Sequence, residues 1–204
     1  MGTQAHWERV YSTKAPTEVS WFRPHLETSL AFIERVAPDR SARIIDVGGG
    51  ESTLVDDLIG KGYGNVTVLD ISQTAIEHTQ RRLAAASQQV TWLVADITEV
   101  RLPPRSYDVW HDRAVFHFLT EPAQRRAYVR QVSNAVKPGG HVIVGAFGPE
   151  GPRKCSGLDV VRYDADSLHR EFGARFRLID SAKEMHLTPL GTTQQFLYCY
   201  CIVE

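Results

Sequence analysis

The stretch R-I-I-D-V-G-G-G-E-S, residues 43–52, decides the fold of this chain. Its first half is a compact run rich in β-branched side chains, which is typical of a buried strand. Three glycines follow, and residues 52–59 carry apolar side chains at helical spacing. Glycine permits a tight turn and lets a ligand approach the main chain. The stretch therefore predicts a strand that turns into a helix beside a binding crevice.

The same alternation of strand and helix continues towards the C-terminus. Further strands are predicted at residues 65–69, 90–95, 107–110 and 141–146, and helices at 75–86 and 123–136. Strands that are joined by helical crossovers form a parallel sheet with helices on both faces, and each crossover is right-handed. The fold class is therefore α/β.

The pattern changes after residue 148. A helix is predicted at residues 163–172, and strands at 175–179 and 195–203. Because no helix separates the last two strands, we expect them to form an antiparallel pair at one edge of the sheet. The chain is thus predicted to be one domain, 1–204, with an N-terminal arm at 1–40, a core at 41–147 and a loop and C-terminal strand pair at 148–204.

The first forty residues form an arm that differs in kind from the rest. Trp7, Tyr11, Trp21 and Phe22 make the arm strongly aromatic, and a helix is predicted over residues 25–36. Two interpretations stay open. The arm is either a structural segment packed on the sheet or a lid over the site.

The composition is that of an ordinary globular domain. The 204 residues include 23 Lys and Arg and 24 Asp and Glu, so charge gives no general attraction to nucleic acid or anionic lipid. Three cysteines without a C-x-x-C pair argue for a reducing compartment and against a zinc module. No apolar run approaches the ~18 residues of a membrane span. We expect a cytoplasmic protein, away from membranes and without a metal.

Two aspartates mark the ends of neighbouring strands. Asp70 follows the second strand and Asp96 the third. A carboxylate 20 residues beyond the glycine turn (70 − 50) is placed to accept hydrogen bonds from ribose hydroxyls. Asp96 is placed to accept from an adenine amino group, while Ile71 and Ile97 enclose the ring. Each aspartate could alternatively be only the N-cap of a following helix.

Taken together, these residues resemble the class I S-adenosylmethionine-dependent methyltransferases over about residues 40–204. The resemblance includes the glycine-rich first loop, Asp70, Asp96, Y-D-V at 107–109 and K-P-G-G at 137–140. It implies a doubly wound, mostly parallel seven-stranded sheet of order 3-2-1-4-5-7-6, with strand 7 antiparallel and helices on both faces. It also implies S-adenosylmethionine as the cofactor.

The same resemblance implies a set of cofactor-binding residues. Where the family usually has a third glycine, this chain has Ser52, which suggests a hydroxyl facing the methionine part of the cofactor. The arm around Trp21 would close the pocket. The predicted cofactor-binding residues are Asp46, Gly48, Gly49, Gly50, Ser52, Asp70, Ile71, Asp96, Ile97 and Trp21.

A polar cluster follows the fourth strand, where the resemblance places the methyl group. We predict His111, Asp112, Arg113 and His117 as catalytic residues, because Arg113 and His117 could stabilise an anionic nucleophile and His111 or Asp112 could accept a proton. The alternative is an Asp112–Arg113 structural ion pair with a buried His117. Two further candidates for the pocket wall are Cys155, in the loop after the fifth strand, and His186, expected in the link between the last two strands.

Several functions stay open. The cluster at 111–114 is not the Asn/Asp-Pro-Pro-Tyr motif of enzymes that methylate bases or glutamine, so nucleic acid is a poor substrate. We favour a small nucleophilic acceptor such as a thiol, a sulfide or another anion, and a protein lysine is the main rival. An NAD-dependent oxidoreductase is disfavoured by Thr53, where that fingerprint requires glycine. A catalytically inactive partner subunit is a further alternative. A monomer and a homodimer are both compatible with the sequence.

Overall fold

The structure, a computed structural model, describes residues 2–204. Its α-helices are α1 Gln4–Thr13, α2 Glu27–Val36, α3 Leu54–Gly60, α4 Gln73–Leu83, α5 Pro122–Ala135 and α6 Ala165–Phe172. Its strands are β1 Arg43–Val47, β2 Asn65–Asp70, β3 Val90–Val94, β4 Tyr107–Arg113, β5 Val136–Phe147, β6 Lys154–Cys155, β7 Leu158–Asp159, β8 Phe176–Leu187 and β9 Thr193–Val203. Among the described residues, none of the helices combines the length and apolarity needed to cross a bilayer.

Seven strands form one sheet of order β3-β2-β1-β4-β5-β9-β8. The first five pair in parallel, and β9 runs antiparallel to both β5 and β8. Because β6 and β7 form a separate small hairpin, β8 and β9 correspond to strands 6 and 7 of the predicted sheet. The strand order and the antiparallel edge pair therefore confirm the predicted α/β fold. Strand order reverses between β1 and β4, and in open α/β sheets ligands bind at such a switch point, beyond the carboxyl ends of the strands.

Helices cover both faces of the sheet and bury two apolar clusters. Helices α1 to α4 pack on one face, where Phe32 and Leu54 are buried. Helices α5 and α6 pack on the other face, where Tyr128 and Phe172 are buried. Side chains alternate between the two faces along each strand, so neighbouring residues of β4 belong to different clusters. This alternation decides which polar residues of β4 reach the crevice.

The structure lengthens several predicted strands and adds elements that the sequence did not reveal. Strand β5 begins at Val136, five residues before the predicted start at 141. Strand β4 continues to Arg113, so the polar cluster begins inside the strand. Strand β8 runs to Leu187, so the prediction that His186 lies in the link between the last strands is wrong. An irregular register between Leu178 and Asp180 interrupts the alternation that would reveal β8. Helix α1 and the β6–β7 hairpin are short and were also missed.

Candidate active site

The glycine turn after β1 brings the main chain close to the ends of two strands. Gly48 has φ +72°, and a Cβ there would collide with the Val115 side chain. A Cβ on Gly50 would lie 2.6 Å from Oδ2 of Asp70. The Gly48 N–H donates to the Leu69 carbonyl at 2.7 Å, which holds the turn against β2. Only glycine fits at positions 48 and 50, and it leaves the backbone accessible from the crevice.

Asp70 lies at the carboxyl end of β2 and is only 5% exposed. Its carboxylate accepts from the Gly50 N–H at 3.0 Å and from the Ser72 N–H at 2.9 Å. Burial raises the pKa of Asp70 to about 6, although the hydrogen bonds from Ser72 and Gly50 work in the opposite direction. Each carboxylate oxygen can accept further hydrogen bonds, so Asp70 can still bind hydroxyl donors.

A first cavity joins the glycine turn to the ends of β2 and β3. Gly48, Asp70, Ile71 and Ile97 are part of its wall. Asp96 stands directly before Ile97 but is not part of the cavity wall. Its Oδ1 accepts from the N–H and the hydroxyl of Thr98 at 2.8 and 2.7 Å. The adenine-binding role of Asp96 stays a prediction.

A second cavity at the glycine turn has several polar side chains within a mostly apolar wall. Asp46, Gly49, Glu51, Ser52 and His111 are part of its wall. His111 Nδ1 donates to Asp46 Oδ1 at 2.7 Å, and both side chains are buried. Asp46 Oδ2, Glu51 Oε2 and His111 Nε2 are buried without a hydrogen-bond partner among the described residues. Because such atoms cost free energy unless they are bonded, they indicate a polar ligand.

The arm covers both cavities. Trp7, Tyr11 and Trp21 line the first cavity, and Tyr11 and Trp21 also line the second. Helix α1 is attached to the start of α4, where Glu8 accepts from the N–H of Gln73 at 2.6 Å and of Thr74 at 3.2 Å. A carboxylate is favourable there because the first N–H groups of a helix have no partner within the helix. The arm therefore lies where a lid would lie.

Residues outside the arm form hydrogen bonds with the part of the arm around Trp21. His186 Nε2 donates to the Ser20 carbonyl at 2.7 Å, and Arg113 donates to the Trp21 carbonyl at 3.2 Å. The Thr53 hydroxyl donates to the Arg23 carbonyl at 3.0 Å. His186 lines neither cavity. It bonds to the arm from β8, the strand at the edge of the sheet.

Arg113 is the one predicted catalytic residue that lines both cavities. Its guanidinium also contacts the C-terminal strands: Nε donates to the Tyr198 hydroxyl at 3.0 Å, and the guanidinium lies 4.1 Å from the centre of the Phe196 ring. Its charge is paired with Glu184 at 3.3 Å in buried surroundings. Arg113 therefore connects the crevice, the arm and the strand pair.

Asp112 and His117 are directed away from both cavities. Asp112 belongs to the face of α5, where it accepts from the Tyr128 hydroxyl at 2.6 Å and from the Val115 N–H at 2.8 Å. His117 Nδ1 accepts from the Phe147 N–H at 3.2 Å. Burial, with a smaller contribution from Arg113, lowers the pKa of His117 to about 3, so the ring is neutral at physiological pH. Both residues stabilise the loop after β4.

Several residues of the site were missing from the sequence-based set. Glu51 follows the last glycine of the turn, and that position is a signal that could have identified it. Glu8 and Tyr11 lie in an undetected helix, and Glu184 lies in the undetected half of β8. Cys155, a candidate for the wall, does line the first cavity, and burial raises its pKa to about 11. Among residues 2–204, no group of His, Cys, Asp and Glu is arranged to hold a metal ion.

Residues 44–140 match the family model described as a methyltransferase domain. The eEF1A lysine and N-terminal methyltransferase of Mus musculus is 23% identical over 70% of this chain and 20% of that relative. The ubiquinone/menaquinone biosynthesis C-methyltransferase UbiE of Roseobacter denitrificans is 24% identical over 57% of this chain and 47% of the relative. The chain spans about a fifth of the length of the mammalian eEF1A methyltransferases that it matches.

Solved structures show the same fold at low sequence identity. One, from work on the conversion of a disulfide bond into a thioacetal group during echinomycin biosynthesis, has a TM-score of 0.79 and 18% identity, and the match covers 98% of this chain and 92% of that one. A complex of the Haloferax volcanii Trm112 activator with a putative methyltransferase also gives a TM-score of 0.79, with 14% identity, and covers 99% of this chain and 97% of that one.

Proposed function

We propose that this chain, a class I S-adenosylmethionine-dependent methyltransferase by its family match and its relatives, methylates a small nucleophilic acceptor in the crevice under the arm. The observation that carries the proposal is the pair of cavities meeting at the glycine turn. One is mostly apolar beside Asp70, and the other contains unpartnered carboxylate and imidazole atoms. A nucleoside joined to an amino acid has this same division into two parts.

The residues present fit S-adenosylmethionine in one orientation. Asp70 would accept from the ribose hydroxyls, and Ile71 and Ile97 would enclose the adenine in the first cavity. The unpartnered oxygens of Asp46 and Glu51 would accept from the amino group of the methionine part in the second cavity. Ser52 lines this second cavity, in agreement with a hydroxyl near the methionine part.

The two cavities share the residues at which transfer would occur. Tyr11, Trp21, Gly48 and Arg113 line both of them. When bound, the cofactor supplies a methyl carbon made electrophilic by a sulfonium. The protein aligns the two reactants and excludes water, which is the main contribution that an in-line displacement requires. The aromatic faces of Tyr11 and Trp21 would favour the sulfonium over the uncharged product.

We assign the four predicted catalytic residues to three roles. Arg113 borders the acceptor and positions the arm through the Trp21 carbonyl. His111 holds Asp46 in place for the cofactor. Asp112 and His117 hold the loop after β4, and we assign them no contact with the acceptor.

A protein lysine is the second candidate acceptor. It is favoured by the similarity to relatives named as eEF1A lysine methyltransferases, which extends over 70% of this chain. A lysine side chain would have to pass under the arm and would need a group that keeps its amine neutral.

Binding and transfer experiments test the proposal in sequence. Calorimetric titration with S-adenosylmethionine and S-adenosylhomocysteine should show binding, whereas titration with NADH should not. A labelled-methyl assay then compares thiols, sulfide and cell protein as acceptors. Binding of NADH alone contradicts the cofactor assignment, and label found only in a protein band contradicts the small acceptor.

A further inference from the structure

The wall of the first cavity contains four aromatic rings, and the cofactor site accounts only for Tyr11 and Trp21. Trp7, Tyr11 and Trp21 come from the arm, and Phe118 comes from the loop after β4. We call these four side chains the aromatic box. They lie in the same cavity as Gly48 and Asp70, so a molecule among them would be next to the cofactor.

The rings of the aromatic box fix one another at steep angles. The Trp7 ring centre lies 5.0 Å from that of Phe118 and 5.9 Å from that of Trp21, with an interplanar angle of 77° in both pairs. The Tyr11 and Trp21 rings are 6.3 Å apart at 80°. Edge-to-face pairs of this kind are favourable and rigid, and they present apolar faces in several directions. A flat ring is the ligand that such a box complements best.

The charges around the aromatic box disfavour a cationic acceptor. The charged side chains in the wall of this cavity are Asp70 and Arg113. Asp70 is already bonded to backbone N–H groups, and its remaining acceptor capacity is assigned to the ribose. An ammonium group would meet the positive sulfonium and Arg113, whose charge is shared with the buried Glu184. An anionic nucleophile would instead be attracted by them.

Apart from Asp70, whose carboxylate is assigned to the ribose, the wall has no side chain able to remove a proton at neutral pH. Burial raises the pKa of Cys155 to about 11 and that of Tyr11 well above its ordinary value, so both are neutral and poor bases. Asp112 and His117 are directed elsewhere. The acceptor must therefore arrive with its nucleophilic atom already deprotonated. A lysine amine, with an ordinary pKa of about 10.4, is mostly protonated at neutral pH.

Building on the proposed function, we propose that the acceptor is a small aromatic thiol that ionises near neutral pH, with its ring held by the aromatic box. An aryl ring spreads the charge of the thiolate, which makes aryl thiols more acidic than aliphatic ones. The thiol releases its proton to solvent before binding. The thiolate electron pair then forms the bond to the methyl carbon, and the carbon–sulfonium bond breaks with its electrons going to the donor sulfur. The products are an aryl methyl thioether and uncharged S-adenosylhomocysteine.

The test uses 4-nitrothiophenol as the aromatic probe and cyclohexanethiol as an aliphatic thiol of similar size. A lysine peptide provides the third acceptor. Methyl transfer is measured for the full chain and for the variants Trp7→Leu and Phe118→Leu, with Trp92→Leu as the matched control outside the cavity. We expect KM for 4-nitrothiophenol to rise about three- to tenfold in the two box variants, because each loses an aromatic contact. KM for cyclohexanethiol, calculated on its ionised fraction, should rise less than KM for 4-nitrothiophenol. Calorimetry should still show S-adenosylmethionine binding in both box variants, and Trp92→Leu should behave as the unaltered chain.

Each remaining result contradicts a defined part of the proposal. If the protein binds the cofactor but does not methylate 4-nitrothiophenol, the aromatic acceptor is wrong, whether or not the other acceptors react. If the box variants raise KM equally for both thiols, the rings do not recognise the aryl group. If the unaltered chain binds no S-adenosylmethionine, the proposed function fails before the acceptor is tested. The two failures are thus distinguished by calorimetry alone.

Discussion

At the scale of single residues, the crevice depends on a few side chains that are held by backbone groups. Asp70 is the clearest case, because two N–H groups orient a carboxylate whose pKa burial raises to about 6. The ionised form is the one that accepts two hydroxyl hydrogen bonds. The protonation of Asp70 should therefore be visible in cofactor binding.

We predict that the affinity for S-adenosylmethionine falls as pH is lowered through 6, by up to about tenfold per pH unit below that value. Calorimetric titration between pH 5 and 8 measures this change. Asp70→Asn should bind the cofactor weakly at every pH and lose this pH dependence, whereas Asp159→Asn, an exposed control, should retain both affinity and pH profile. An affinity that is constant from pH 5 to 8 in the unaltered chain would contradict the role of Asp70.

Gly48→Ala should destabilise the protein and remove cofactor binding. The residue has a positive φ, and the added methyl group would meet Val115. We expect a loss of about 1–3 kcal/mol in the free energy of unfolding, measured with denaturant. Gly173→Ala is the matched control, because Gly173 also has a positive φ but nothing lies within 4 Å of its added Cβ. It should lose about 1–3 kcal/mol through backbone strain and keep the cofactor affinity. Equal effects of the two substitutions on cofactor affinity would show that backbone strain alone causes the loss of binding.

At the scale of elements, the arm is attached to the body through hydrogen bonds that can be altered one at a time. Burial alone would raise the pKa of Glu8, but hydrogen bonds from Thr74, Gln73 and Ser72 outweigh it and lower the pKa. A lowered pKa means that the ionised carboxylate stabilises the attachment above the ordinary value of 4.5. That contribution is lost as pH falls through the lowered pKa.

Glu8→Gln should loosen the arm while leaving the sheet intact. We expect about 1 kcal/mol less stabilisation of helix α1, because the negative charge at the N-terminus of α4 is lost. Hydrogen exchange of the amides of residues 4–13 should become about fivefold faster, and the denaturant midpoint of the whole domain should change little. Glu77→Gln on the surface of α4 is the control and should leave exchange in α1 unchanged. A lower midpoint with no faster exchange in α1 would argue against separate opening of the arm.

The strands and helices also differ in how well the sequence predicts them. Strands β1 and β2 are buried runs next to glycines and helices, and with the acids at the ends of β2 and β3 they predicted the crevice. Helix α1 has only three buried residues, Trp7, Val10 and Tyr11, which is too short an apolar stripe to be recognised. The partners of Arg113 lie 71 and 85 residues further along the chain, at Glu184 and Tyr198. No local pattern connects residues at such separations.

At the scale of the whole molecule, a buried network connects the C-terminal strand pair with the arm. Glu184 faces both Arg113 at 3.3 Å and Arg23 at 3.5 Å. Burial would raise the pKa of Glu184, but Arg113 and the other partners outweigh burial and lower the pKa. Glu184 therefore stabilises the fold above its ordinary pKa of 4.5, and this stabilisation disappears as pH falls through the lowered value.

Glu184→Gln should cost about 3 kcal/mol in the free energy of unfolding at pH 7, since it leaves a buried guanidinium without its counter-charge. The difference from the unaltered chain should shrink as pH falls below 4.5, where the carboxylate becomes protonated. Glu204→Gln removes the partner of Arg177 in an exposed pair and should change stability by less than about 1 kcal/mol. Denaturant unfolding at pH 4 and 7 measures both variants. An equal cost at both pH values would exclude the charge as the cause.

The position of the indole rings gives the protein a built-in optical reporter. The chain has four tryptophans, and Trp7 and Trp21 line the first cavity. Trp110 is buried on the opposite face and bonded to Tyr128, while Trp92 lies on β3 outside the cavity wall. Two of the four tryptophans therefore line the crevice, and the other two serve as an internal reference. Occupancy of the crevice should change the emission of the first pair only, so ligand entry can be followed in real time without any label.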